Sequence, residues 1–166
     1  RFHGAGKRMM INLGGSWADQ MGVVAGWLRL VDGAMDEQFT KFGTVPGEGY
    51  VTGAQWEAQL SEVKSTERAG KRFLGVAHSS PDDRDAARYG WATLLLGAEG
   101  SSDFALHSDY TRELWFPEYD LDLGAPRGDE VRERTGVHRR RFSKGLVLVN
   151  PTTTSVPVRF GGRYTG

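Results

Sequence analysis

The chain has 166 residues, long enough for one domain with its own core, and 21 Lys plus Arg balance 21 Asp plus Glu. A formal net charge of zero gives no general attraction to nucleic acid or to an anionic membrane surface. With no cysteine, disulfide frameworks and thiolate metal sites are excluded, the compartment stays undetermined with secretion still open, and no apolar run nears the ~20 residues of a membrane span.

Residue 1 is Arg, and Met9 opens an apolar segment almost at once, so the amino terminus reads as a cut through a larger protein. Met9 to Leu13 (MMINL) is expected to be a strand buried on both faces, stopped by Gly14 and Gly15. Ser16 can cap a short helix over Ala18 to Ala25, and Trp27 to Val31 reads as a second buried strand. Asp32, Asp36 and Glu37 follow it, then a glycine-rich connection from Gly43 to Gly53. Ala54 to Gly70 has helical spacing, with Trp56, Leu60 and Val63 on one stripe.

Arg72 to Ala77 is a third strand, ending at His78. Ser80, Pro81, Asp82 and Asp83 then start a helix reaching about Gly97, with Ser80 as cap and Pro81 at the first helical position. Phe104 to Leu106 is a weak fourth strand, preceded by Asp103. Beyond Leu123 the pattern changes: Val137 to Phe142, Leu146 to Val149 and Val156 to Phe160 read as short strands of an antiparallel meander.

Strand and helix alternate up to Leu106, which argues for a parallel sheet with right-handed crossovers. The expected fold class is α/β: the carboxyl-terminal half of a (β/α)8 barrel over 1–126, then the start of a small antiparallel β domain over 127–166. Such a barrel carries its active site at the carboxyl ends of its strands.

The segments LVDGAMDEQF, AARYGWATLLLGAEG, LWFPEYDLDLGAP and VHRRRFSKGLVLVNP follow one another in an order and spacing that resembles the hypothetical glycosyl hydrolase-like family 15. That family is unrelated to the glucoamylases. The resemblance covers nearly all of the chain and implies a (β/α)8 barrel followed by a small β domain. It also implies glycosidic chemistry on an oligo- or polysaccharide, with no cofactor. Glycoside hydrolysis generally needs two carboxyl groups about 5 to 9.5 Å apart, one protonated to assist the leaving oxygen and one ionised. By resemblance Glu37 is the general acid/base, with Asp32 and Asp36 orienting sugar hydroxyls or supporting it. The second carboxylate is expected upstream of residue 1, so this segment by itself would be inactive.

Read from the residues alone, the three acids are either a solvated loop or half of an active site. Asn12, His78 and Asp103 are further candidates for binding a sugar. For His78, satisfaction by local backbone near Ser80 is the simpler reading. Trp115 and Tyr119 could stack on a pyranose, or could seal the barrel end against the β tail. The run RERTGVHRRRF reads as a solvated or salt-bridged face, because alternation sends successive arginines to opposite sides. GEGYVTG lacks the spacing of a phosphate loop, four scattered histidines make a poor zinc site, and no G-x-S-x-G elbow is present. A non-catalytic carbohydrate-binding or structural barrel is the competing reading, and the oligomeric state is left open.

Overall fold

A computed structural model describes residues 3–14, 21–160 and 162. Four strands, β1 (Met10–Asn12), β2 (Gly33–Asp36), β3 (Arg72–His78) and β4 (Asp103–His107), form one sheet in the order β1-β2-β3-β4, and every pairing is parallel. The helices α1 (Met21–Leu28), α2 (Gly53–Arg68) and α3 (Arg84–Gly97) make the three crossovers. Each crossover steps one strand in the same direction, so right-handed connections lay all three helices on one face of the sheet. Val24 and Leu28 of α1, Val63 of α2 and Leu94 of α3 accordingly share one core with Ala34 and Phe73 of the sheet.

The second strand departs from the expected one. Val24, Leu28 and Val31 are buried at helical intervals, while Leu30 lies 63% exposed. The apolar run therefore belongs to α1 and the turn after it, and the strand is the next segment, Gly33–Asp36. Its sequence, GAMD, has weak strand propensity, and position in the ladder overrides that. Gly33 is required there, since a Cβ would sit 2.5 Å from the Arg72 carbonyl oxygen on the neighbouring strand. Ser16, the expected cap of the first helix, lies outside the described residues.

Two further expectations change. The amino cap of α3 is Asp83, whose carboxylate accepts from the Ala86 amide at 2.9 Å, rather than Ser80. β1 is not buried on both faces: Ile11 packs toward the helices, and Met10 and Asn12 are exposed on the other side. Along the strands, Ile11, Ala34, Phe73 and Phe104 point to the helix layer. By alternation, Met35, Leu74, Val76, Ala105 and His107 point away from it.

The carboxyl-terminal strands β5 (Val131–Arg132), β6 (His138–Arg141) and β7 (Leu146–Val149) form a separate antiparallel sheet, so the meander exists. Its third member is Val131–Arg132 rather than Val156 to Phe160, which forms no strand; Pro157 in that segment cannot donate to a ladder. Phe142, Val147 and Val149 pack on Trp56, Leu60 and Leu96, the side of α2 and α3 remote from the parallel sheet. Arg140, 2% exposed, donates to the Leu95 and Ala98 carbonyls at the end of α3, and its Nε donates to Gly128. A buried cation thus ties the small sheet to a helix C-terminus. Leu114 and Phe116 pack on Ala86, Ala87 and Leu106, so LWFPEY covers the start of α3 and the end of β4.

Candidate active site at the strand carboxyl ends

β2, β3 and β4 run in register, so their last residues come to one end of the sheet: His78 is paired with His107, and Glu37 directly follows Asp36. Alternation separates the two neighbouring acids. Asp36 is fully buried toward α2, where it accepts from the Gln59 side-chain amide at 3.0 Å and the Gln38 amide at 2.7 Å. Glu37 takes the opposite face, away from the helices.

The turn carrying Glu37 is held tightly. Gln59 of α2, itself buried, also donates to the Gln38 carbonyl and accepts from the Thr40 amide at 2.9 Å. Thr40 sits in the left-handed region at φ 63, which costs energy for a β-branched residue and persists because this network fixes both its sides. Downstream, Lys41 is fully buried, donating to the Val45 and Glu48 carbonyls and lying 3.6 Å from Asp83, with Tyr50 beneath its ammonium. Burial alone would raise the Asp83 carboxyl. Donors from Ser79 and Ala86, with Lys41 and Tyr50, outweigh it and hold Asp83 below its ordinary value.

Opposite Glu37 stand two histidines and a tyrosine. His78 Nε2 donates to the Ser108 carbonyl at 2.9 Å, across to the segment after β4 rather than to the backbone near Ser80. The His78 and His107 rings meet edge to face at 5.1 Å, and Tyr110 stacks on His107 at 3.6 Å. The Tyr110 hydroxyl then reaches Glu37 Oε1 at 3.4 Å, which joins the group into one cluster. Burial, followed by the neighbouring His78, lowers the His107 pKa, so its imidazole is held neutral. Burial and Glu37 raise the Tyr110 hydroxyl. Neither ring nitrogen of His107 has a hydrogen-bond partner, and neither has His78 Nδ1.

The remaining expected residues divide between the two ends of the sheet. Asn12 ends β1 on the Glu37 side and accepts from the Gly14 amide. Asp32 is not at a strand's carboxyl end: it precedes β2, accepting from the Met9 amide at 2.7 Å and from His3. Asp103 begins β4 and pairs with Arg72 at 2.5 Å. Both carboxylates line a polar depression with Arg8, Lys71 and Arg72 at the amino ends of the strands, the far end from Glu37. Trp115 is 63% exposed, donates to Asp120 and meets Tyr119 edge to face, beside a cleft of ≈ 300 Å³ along β4 that His107 and Tyr110 also line.

His107 and Tyr110 went unread in the sequence. The available signal was HSDY straight after the FAL strand, a polar strand end of the same kind as His78. Among the described residues no group of three or more His, Asp or Glu side chains is placed to hold a metal ion. No described helix is long and apolar enough to cross a membrane. The amide of Gly53, where the glycine-rich stretch ends and α2 begins, donates to the Pro151 carbonyl.

No curated protein matches the chain. A family model described as hypothetical glycosyl hydrolase family 15 matches residues 1–146, a span that takes in the whole parallel sheet, its three helices and the cluster around Glu37. The chain therefore belongs to hypothetical glycosyl hydrolase family 15.

Proposed function

We propose that the protein hydrolyses a glycosidic bond in an oligo- or polysaccharide, with Glu37 as the general acid/base. One observation carries this reading. Glu37, His78 and His107 leave the carboxyl ends of three successive parallel strands, on the face that the helices do not cover. That is where a (β/α)8 barrel builds its active site. The four-stranded sheet is the carboxyl-terminal half of such a barrel, and the three-stranded sheet begins the small β domain after it. Supporting this, the strand order advances without reversal, the helices form one layer, and β1 and β4 each have a neighbour on one side only among the described residues.

In this reading Glu37 gives its proton to the glycosidic oxygen as the bond from that oxygen to the anomeric carbon breaks. A carboxylate from the other half of the barrel acts as nucleophile or base, and water supplies the hydroxyl that ends on the sugar. Asp36 serves Glu37 indirectly, anchoring its turn to Gln59. Asn12 lies at the same end of the sheet and is placed for a sugar hydroxyl, whereas Asp32 and Asp103 hold the opposite end together.

The test is Glu37→Gln in the intact protein, assayed on a panel of aryl glycosides and polysaccharides. Turnover of substrates with poor leaving groups falls at least the ~100-fold typical of lost acid catalysis, aryl glycosides with acidic phenols suffer less, and KM changes little. Undiminished turnover in Glu37→Gln overturns the assignment.

A further inference from the structure

We propose that His107 hydrogen-bonds a hydroxyl group of a sugar seated beside Glu37, and that Tyr110 is the movable cover this sugar displaces. The inference rests on the glycosidase reading and adds to it the group that recognises the sugar.

His107 is 7% exposed, and both its ring nitrogens are shut from solvent without a partner. A neutral imidazole carries one donor and one acceptor, and leaving either buried and unpaired is costly. Residues kept in such a state need a reason, and a ligand that completes them is one. His78 is arranged alike: its Nε2 is committed to Ser108, so in the neutral ring Nδ1 is left as an unpaired acceptor beside His107. A sugar hydroxyl, which can both donate and accept, matches such unpaired nitrogens.

Tyr110 is built to move. It lies 67% exposed at φ 60, a left-handed conformation disfavoured for an aromatic residue. It is held by the stack on His107 and by a long 3.4 Å hydrogen bond to Glu37. A sugar that displaces it would free Glu37 from the phenol in the same motion.

The experiment uses the intact protein and whichever 4-nitrophenyl glycoside of a panel, a glucuronide included, the wild type turns over fastest, together with its monodeoxy analogues. His107→Phe keeps a ring but removes both nitrogens, and it raises KM about tenfold with kcat within threefold. His107→Asn and His107→Gln, which restore a polar atom near Nδ1 or Nε2, recover part of the loss and serve alone if the Phe variant does not fold. At least one monodeoxy analogue loses affinity with the wild type and loses nothing further with the His107 variants, a coupling that a merely structural residue would not produce. Tyr110→Gly lowers KM. Wild-type KM in every folded His107 variant, or no coupling to any deoxy position, overturns the inference while leaving glycosidase activity standing. A raised KM in Tyr110→Gly overturns the cover. A wild type that hydrolyses nothing in the panel defeats the glycosidase reading, and this inference with it.

Discussion

Replacing glycine by alanine inside a helix ordinarily stabilises it by about 1 kcal/mol, because alanine has less backbone freedom to lose. Gly90, in the middle of α3, should behave the other way. A Cβ at that position would lie 2.2 Å and 2.3 Å from two atoms of the Phe104 ring and 3.0 Å from Thr40 Oγ1. The ring cannot simply swing aside, for it is packed against Phe39 at 6.3 Å and Tyr119 at 6.0 Å. Overpacking costs about 1–3 kcal/mol, and contacts this short place Gly90→Ala in the upper part of that range, about 2–3 kcal/mol, so after the helix gain it is destabilised by roughly 1–2 kcal/mol. For a chain of this size that lowers Tm by about 2–8 °C, readable by circular dichroism. Gly26 of α1 is the control: a Cβ there meets nothing within 4 Å, so Gly26→Ala should raise Tm. Equal stabilisation by both substitutions would refute the claim that the α3 to β4 contact, and with it the seat of His107 at the end of β4, depends on glycine.

Asp83 makes stability depend on acid. Its folded carboxyl titrates below the ordinary value of 3.8, so the unfolded chain takes up the proton first: the contribution is complete above that value and is lost as pH falls below it. Urea unfolding from pH 6 to pH 3 should show a steep loss at the acid end, shallower in Asp83→Asn, which should also be the less stable protein at pH 6; identical pH profiles would contradict the assignment. Arg140→Met abandons the carbonyls of Leu95, Ala98 and Gly128, so at ~1 kcal/mol for each lost acceptor it should cost roughly 3 kcal/mol. Limited proteolysis should then cut first between β5 and β7, and unchanged protection there would show that the small sheet is held without Arg140.

Sequence patterning by itself determined the elements that bury a regular stripe. Trp56, Leu60 and Val63 recur at helical spacing and are buried in α2, Phe73 to Ala77 form the third strand, and Leu146 to Val149 pair in the antiparallel sheet. The alternation of strand and helix likewise foretold a parallel sheet in chain order. Local sequence could not settle Leu28 to Asp36. An apolar run of that length suits a strand or a helix end equally, and the choice fell to burial at Val24, Leu28 and Val31 and to a ladder position between β1 and β3 that Gly33 alone can fill. The site followed the same division. Glu37 and His78 were legible as polar residues at the ends of apolar strands. That Asp36 turns to the helices, that Asp32 and Asp103 stand at the far end, and that His107 and Tyr110 complete the cluster depended on parallel register between segments some 30 residues apart. Register is set by packing across the whole sheet, and a single residue's shift moves a side chain to the other face. The sequence therefore named chemistry-bearing residues, and the tertiary structure decided which of them meet.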